Sequence, residues 1–189
     1  MKVVLASRSP QRRALLAALG VDFEVIEPNV TELEEGDPEE IVLENARWKA
    51  SSAAARAREG TLVIAGDTEV VIDGAVLGQP EDAEEAEAML RLLSGREHTV
   101  LGALALLGPE HGDRPRAREG TVASTVRFRS LDDAEIAAYI ASGEWEGRAG
   151  AYAIQSLGSA LVGEVRGDVS NVIGLPVPLL LELAPELLG

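Results

Sequence analysis

Residues 3–20 have the sequence VVLASRSPQRRALLAALG and place a strand pattern, a serine-containing turn and a helix pattern in direct succession. Residues 3–6 are apolar and partly β-branched, which predicts a buried strand. Ser9 is a favourable helix N-cap, Pro10 is a favourable first helical residue, and Gly20 is typical of a helix end. The stretch therefore predicts a strand that leads through a short turn into a helix.

Two arginines, Arg12 and Arg13, fall in the first turn of this predicted helix. Unpaired backbone N–H groups already make that end of a helix positive, so two more cations oppose the helix dipole. An anion bound over the turn would stabilise the arrangement, and helix N-termini commonly bind phosphate. The alternative is two solvated arginines on a surface helix. These residues alone favour neither interpretation.

The composition limits the classes of protein that the chain can represent. Its 189 residues, 46% of them hydrophobic, predict a single domain that spans residues 1–189. The absence of cysteine excludes disulfides and thiolate metal sites. A net charge of −15 argues against nonspecific binding to nucleic acid or to an anionic membrane surface. No apolar run approaches a membrane span and no signal peptide is visible, so we expect a cytoplasmic protein.

The remaining sequence alternates between helix and strand patterns. Asp37 and Pro38 predict the start of a helix that runs to about residue 58, and Asp82 predicts another helix start. Further helices are predicted over residues 131–142 and 179–188, whereas the glycine-rich residues 143–167 resist assignment. Apolar runs predict strands at residues 23–26, 62–65, 70–72, 75–77, 98–107 and 121–129. The pattern indicates an α/β fold with a mixed β-sheet.

Three residues are candidates for chemistry beside the first helix. Lys49 lies among small residues on a predicted helix and could reach a phosphate, or it could be a solvated lysine. Asp67 interrupts an apolar strand pair, so it must be paired, metal-bound or at a strand end. There it could bind Mg²⁺ or activate water, although an ordinary turn aspartate is the alternative. Glu32 is a possible second oxygen ligand for a metal.

The glycine-rich residues 143–167 form a further candidate region. Gln155 carries both a donor and an acceptor and could contact the edge of a base, whereas the alternative is a flexible surface loop. The sequence contains no P-loop motif, no dinucleotide-binding glycine fingerprint and no serine-nucleophile motif. These absences remove support for the commonest nucleotide-binding and hydrolase folds.

Short motifs in a fixed order resemble a known family. The motifs are LASRSP (5–10), IAGDT (64–68), LGQP (77–80), LSGREH (93–98), GAYAIQ (150–155) and NVIGLP (171–176). Together they resemble the Maf family of nucleoside triphosphate pyrophosphatases over nearly the whole chain. The resemblance implies an elongated mixed β-sheet flanked by helices, with two lobes and a central cleft, similar to the inosine triphosphate pyrophosphatase fold.

The resemblance also implies an activity and a set of residues. It implies hydrolysis of a nucleoside triphosphate to the monophosphate and pyrophosphate with a divalent cation, Mg²⁺ or Mn²⁺, and the combination of GDT with AYAIQ is similar to the dTTP- and UTP-hydrolysing branch. A homodimer is a further implication. Residue by residue, it implies a general base or metal ligand at Asp67, a metal ligand at Glu32, phosphate contacts at Ser7, Arg12 and Lys49, and base selection at Thr68 and Gln155. Beside these, we expect Arg13 of the same predicted helix to contact phosphate.

Two positions depart from the family pattern. Gln11 and Gln79 stand where the family usually has an arginine for substrate selection and a lysine near the phosphates. Each lost charge-assisted contact weakens binding by about 1.5–3 kcal/mol unless another cation, such as Arg13 or Arg8, replaces it. These departures affect affinity and substrate range more than the type of reaction. They also keep open an alternative: a nucleotide-sensing regulator of septum formation with weak or no turnover.

Overall fold

A computed structural model describes residues 1–109 and 116–188. Its strands are β1 (Lys2–Ala6), β2 (Glu24–Val25), β3 (Thr61–Ile72), β4 (Ala75–Leu77), β5 (Glu97–Leu107), β6 (Ala117–Phe128) and β7 (Val162–Arg166). Its helices are α1 (Pro10–Ala18), α2 (Pro38–Ala54), α3 (Ala83–Leu93), α4 (Asp133–Ser142), α5 (Val169–Ile173) and α6 (Val177–Leu183). Short 3-10 turns cover Ala149–Ala151, Ser156–Ala160 and Pro185–Leu188. No helix within the described ranges is long and apolar enough to cross a membrane.

Within this part of the chain the strands form one mixed sheet. Its order is β2-β1-β3-β5-β6-β7, and β4 extends the sheet by pairing with one end of β3. The strand β1 runs parallel to β2 and β3, whereas β3, β5, β6 and β7 pair antiparallel. The mixed sheet with flanking helices confirms the α/β fold class expected from the sequence.

The long strand β3 passes through two packing regions. Alternate residues on a strand face opposite sides of the sheet. At the start of β3, Val63 and Ala65 pack with buried residues of α2, and Leu62 and Ile64 pack on the other face with residues of α1 and α6. Towards its end, Val70 belongs to a third cluster with residues of α3 and α4. The middle of β3 therefore lies between two packed regions.

Several predicted boundaries are confirmed by the caps. Ser9 accepts a hydrogen bond from the backbone N–H of Arg12, and Pro10 is the first residue of α1. Asp37 likewise caps α2 by accepting from the backbone N–H groups of Glu39 and Glu40. Local side-chain chemistry accounts for these helix starts, because a cap satisfies N–H groups that the helix itself leaves unpaired.

Other boundaries were wrong. Residues 62–65 and 70–72 were predicted as separate strands, but β3 is continuous, and residues 66–69 pair with residues 101–104 of β5. The helix predicted to reach residue 58 ends at Ala54. The terminal helix begins at Val177 and ends at Leu183, where the chain turns at Pro185. The connection between the strands predicted at residues 98–107 and 121–129 lies partly outside the described residues.

Candidate active site

A cleft of about 970 Å³ opens beside the middle of β3. It is bounded by the start of α1, the segment before α2, the turn after β4, residues 146–155 and residues 172–174. Nine of the side chains predicted for the site line it: Ser7, Gln11, Arg12, Glu32, Lys49, Asp67, Thr68, Gln79 and Gln155. The structure thus brings together residues from distant parts of the sequence in one cavity.

Asp67 is the buried carboxylate of this cleft, with 4% of its surface exposed. Its Oδ1 accepts a hydrogen bond from Lys49 Nζ at 2.7 Å, and its Oδ2 accepts one from Asn45 Nδ2 at 3.2 Å. Lys49 Nζ also donates to Glu32, so the lysine bridges two carboxylates. This pairing explains how a charged residue is tolerated in the middle of a strand.

The helix α2 positions both partners of Asp67. Asn45 and Lys49 are four residues apart, which places them on one face of the helix. Asn45 also accepts from Leu33 N at 2.7 Å and donates to Leu33 O at 3.1 Å. Because Leu33 follows Glu32 directly, these bonds hold the segment that carries the second carboxylate. Asn45 therefore fixes both Asp67 and the position of its neighbouring acid.

The donor set fits a divalent cation that binds together with its substrate. Glu32 and Asp67 converge on one cation, Lys49 Nζ, which shows that their oxygens can share a positive charge. No group of three or more histidine, cysteine or acidic side chains positioned for a metal occurs in the described residues. Mg²⁺ is usually held by one or two carboxylates plus substrate phosphates and water, so two carboxylates are sufficient.

Glu69 is an acid of the cleft that the sequence reasoning missed. It lies two residues after Asp67 and therefore on the same face of β3. Burial and, after it, the neighbouring charge of Asp67 raise the pKa of Glu69 to about 8. The cleft consequently holds a carboxyl group that carries a proton at neutral pH and that can donate a hydrogen bond.

Arg12 is anchored on the opposite face of β3. Its Nε donates to Gly174 O at 2.7 Å, and one terminal nitrogen donates to Thr68 Oγ1 at 3.0 Å. Burial lowers the pKa of Arg12, while the charges of Asp67, Glu32 and Glu69 oppose that shift. A Cβ at Gly66 would lie 3.0 Å from Ala103 O and 3.2 Å from Leu104 Cδ2, so the close approach of β3 to β5 favours glycine here.

Thr68 contacts Arg12, and this contact is not part of its predicted role. The prediction for Thr68 was base selection, and its hydroxyl is hydrogen-bonded to Arg12 and lies 3.4 Å from Gly174 O. A substitution here would disturb an arginine predicted to contact phosphate. Gln155, also predicted to select the base, lines the cleft from a different segment, between two 3-10 turns.

Arg13, which is predicted to contact phosphate, is placed differently from Arg12. Arg13 does not line the cleft. One of its terminal nitrogens lies 3.6 Å from a carboxylate oxygen of Glu27 and donates to Ser7 O at 3.4 Å. Consecutive residues of a helix point about 100° apart, and this turn carries Arg13 away from the cleft. Arg12 faces the cleft, and Arg13 faces the segment after β2.

The serines before α1 organise the start of the helix. Ser7 Oγ accepts from Ser9 N at 3.0 Å, and Ser9 Oγ donates to Gln11 Oε1 at 3.1 Å. Gln11 therefore presents its amide nitrogen, a donor, for contact with a ligand. Gln79 lines the same cleft from the turn after β4. Both neutral positions thus belong to the cavity.

A buried aromatic group supports the wall of the cleft at Tyr152. Tyr152 Oη lies 2.8 Å from His98 Nε2, and both rings contact Phe128 edge to face. Burial lowers the pKa of His98 to about 4, so the imidazole is neutral at physiological pH. His98 therefore acts as a packing and hydrogen-bonding partner of Tyr152.

Comparisons with known proteins agree with this arrangement. The family model of the Maf-like proteins matches residues 2–187. A dTTP/UTP pyrophosphatase of Caldanaerobacter subterraneus subsp. tengcongensis is 43% identical, with 100% of this chain and 90% of the relative covered. A dTTP/UTP pyrophosphatase of an Anaeromyxobacter species is 48% identical, with 96% and 87% covered.

A solved structure supports the fold independently. A HAM1 protein from Coxiella burnetii superposes with a TM-score of 0.50 at 21% identity, covering 99% of this chain and 98% of the other. That likeness concerns the fold, whereas the sequence matches extend over the cleft residues as well. By the family model and the sequence relatives, the chain belongs to the Maf family.

Proposed function

We propose that this protein is a nucleoside triphosphate pyrophosphatase that hydrolyses dTTP and UTP to the monophosphate and pyrophosphate. The family match and the relatives named dTTP/UTP pyrophosphatase support this activity. The observation that carries the proposal is the position of Asp67. It is a buried carboxyl group that faces a large cleft, between Lys49 on one side of the strand and Arg12 on the other.

The phosphate chain is held by cations and hydrogen-bond donors at the start of α1. Arg12 faces the cleft with its guanidinium already fixed by Gly174 and Thr68, so little side-chain freedom is lost on binding. Ser7 lies at the same end, where the backbone N–H groups of the first helical turn favour an anion. Lys49 neutralises the adjacent carboxylates and thereby reduces their repulsion of the phosphates.

Asp67 acts as the general base in this proposal. Its carboxylate accepts a proton from the water that attacks the α-phosphorus, and pyrophosphate leaves. The hydrogen bond from Asn45 fixes the plane of the carboxylate and leaves it as an acceptor. A divalent cation, Mg²⁺ or Mn²⁺, held by Glu32 and Asp67, would neutralise phosphate charge when bound. Gln155 and Gln11 present amide groups that can contact the pyrimidine or its sugar.

A panel of nucleoside triphosphates tests the reaction. Pyrophosphate and orthophosphate release are measured with dTTP, UTP, CTP, dATP and dGTP, each with Mg²⁺ or Mn²⁺. We expect pyrophosphate as the inorganic product and the highest kcat/KM for dTTP and UTP. Asp67→Asn should reduce kcat at least about 1,000-fold, since it removes the base, while its circular dichroism spectrum at 25 °C stays that of the folded wild type. Asp22→Asn, at an exposed aspartate, is the matched control.

The nucleotide-sensing regulator of septum formation is a second candidate. The two neutral side chains in the cleft, Gln11 and Gln79, favour it, because they remove cations from the phosphate end. Saturable binding of dTTP without release of pyrophosphate in the same panel would support the sensor and contradict the enzyme. For either function we propose a cytoplasmic, single-domain protein that forms a homodimer, as the family resemblance implies. We propose no nucleic-acid or membrane partner, in keeping with the net charge of −15.

A further inference from the structure

The cleft contains more acidic than basic side chains. Its lining includes seven acids, namely Glu32, Glu34, Asp67, Glu69, Glu81, Glu85 and Glu146. Its cations are Arg8, Arg12, Lys49 and Arg148. A nucleoside triphosphate brings several further negative charges, so every cation that is free to turn towards it matters for affinity.

Most of these cations already have partners. Lys49 is shared by two carboxylates, and Arg12 is bonded to Gly174 and Thr68. Arg8 donates to Pro28 O at 3.2 Å and approaches a glutamate at 3.9 Å. Within residues 1–109 and 116–188, by contrast, the Arg148 side chain makes no hydrogen bond and no ion pair, and its buried Nε has no acceptor.

The position of Arg148 links it to the turn that carries Gln79. Gly150 N donates to Gly78 O at 3.0 Å, so the segment of residues 148–150 lies against the residue that precedes Gln79. Residues 147–149 and Gln79 line the same cleft. The neutral glutamine and the unpaired guanidinium are therefore on adjoining segments of one wall.

We propose that Arg148 binds the phosphate chain of the nucleotide and supplies the positive charge that Gln79 does not. A buried donor without an acceptor is costly, and a phosphate oxygen is a strong acceptor for a guanidinium. Arg148 would hold the phosphate chain from the segment after α4, whereas Arg12 holds it from α1. The class of ligand, a nucleoside triphosphate, is taken from the proposed function. The role of Arg148 itself is tested by binding measurements alone.

The test compares Arg148→Gln with the wild type in the intact protein. Dissociation constants are measured by calorimetry, with Mg²⁺, for the non-hydrolysable α,β-methylene analogue of dUTP, for inorganic tripolyphosphate and for thymidine. We expect Arg148→Gln to weaken the analogue and tripolyphosphate at least about 10-fold and thymidine less than 2-fold. Arg58→Gln, at an exposed arginine away from the cleft, is the matched control and should bind like the wild type.

A second variant restores the charge at the neighbouring position. Arg148→Gln combined with Gln79→Lys should recover at least half of the lost binding free energy for tripolyphosphate. Unchanged binding in Arg148→Gln would overturn the proposal, as would equal losses for thymidine and the triphosphate, which indicate a structural role. A wild type that binds the analogue but releases no pyrophosphate would contradict only the proposed enzyme activity. A wild type that binds neither phosphate probe would overturn the assignment of Arg148.

Discussion

Replacing Lys49 with methionine removes the ammonium group that Asp67 and Glu32 share, while it keeps a long apolar side chain in the helix. The lysine and aspartate side chains are only 8% and 6% exposed, and their charged atoms are 2.7 Å apart. Breaking a buried ion pair by deleting one partner costs about 3–5 kcal/mol. The Glu32 side chain is 45% exposed, so its share is small, about 0–1 kcal/mol.

We therefore expect Lys49→Met to lower the free energy of unfolding by about 3 kcal/mol at pH 7 without divalent metal. The loss arises at the Asp67 carboxylate, because it keeps only the hydrogen bond from Asn45 once the ammonium group is removed. Urea denaturation followed by circular dichroism, with EDTA present, measures the loss. The double variant with Asp67→Asn should regain most of the stability, because it removes the carboxylate left without a partner.

The chain provides a matched control for this experiment. Lys2 is the other lysine of the chain and is exposed, so Lys2→Met should change the free energy of unfolding by less than about 0.5 kcal/mol. A Lys49→Met variant within 1 kcal/mol of Lys2→Met at pH 7 would refute the reasoning. That result would mean that Asp67 is not stabilised by the lysine and lies in a better solvated position.

Three further predictions concern other features of the fold. Arg12→Gln should weaken tripolyphosphate binding at least about 10-fold and Arg13→Gln less than 2-fold, since only the first arginine lines the cleft; calorimetry checks this. Because His98 has a pKa of about 4 when folded, its contribution to stability is complete above pH 6.5 and falls by about 3 kcal/mol towards pH 4; His98→Gln should remove that part of the fall in urea denaturation. Gly102→Ala should destabilise by about 2–4 kcal/mol in thermal unfolding, because its Cβ would lie 1.9 Å from Asn171 Oδ1.

Each of these predictions has a contradicting result. Equal losses for the two arginine variants would mean that both side chains reach the phosphates. A His98→Gln variant with the acid sensitivity of the wild type would place the histidine in contact with water; His111→Gln serves as the control for a general histidine effect. An unchanged melting temperature for Gly102→Ala would mean that Asn171 moves aside without losing its hydrogen bonds to Val100 and Ser124.

Features that depend on neighbouring residues could be predicted from the sequence. Ser9, Asp37 and Asp82 cap helices because their side chains reach N–H groups only two or three residues away. The turn at residues 73–74 follows in the same way, since both residues have positive φ angles that aspartate and glycine tolerate. Nothing distant along the chain is needed for these assignments.

Features that depend on residues distant in the sequence could not be predicted in this way. Asp67 was expected to interrupt a strand, because a carboxylate is unfavourable there unless a cation neutralises it. The neutralising cation, Lys49, is 18 residues away, so the local sequence does not indicate the pairing. The choice between Arg12 and Arg13 depends on the rotation of α1 against the sheet. Asn45 could have been found from its helical spacing to Lys49, and Glu69 from its alternation with Asp67. Arg148, in a segment without regular spacing, gave no comparable signal.

The continuity of β3 determines how the position of Asp67 responds to heating. Asp67 belongs to a central strand in register with Ala103 of β5, whereas many enzymes carry such a residue on a loop. Loops open in local fluctuations, but central strands separate only when the whole domain unfolds. Heating should therefore leave the carboxylate in place until the sheet itself melts. Any loss of activity below that temperature would arise in the irregular segments of the cleft, such as the segment before α2 and residues 146–155.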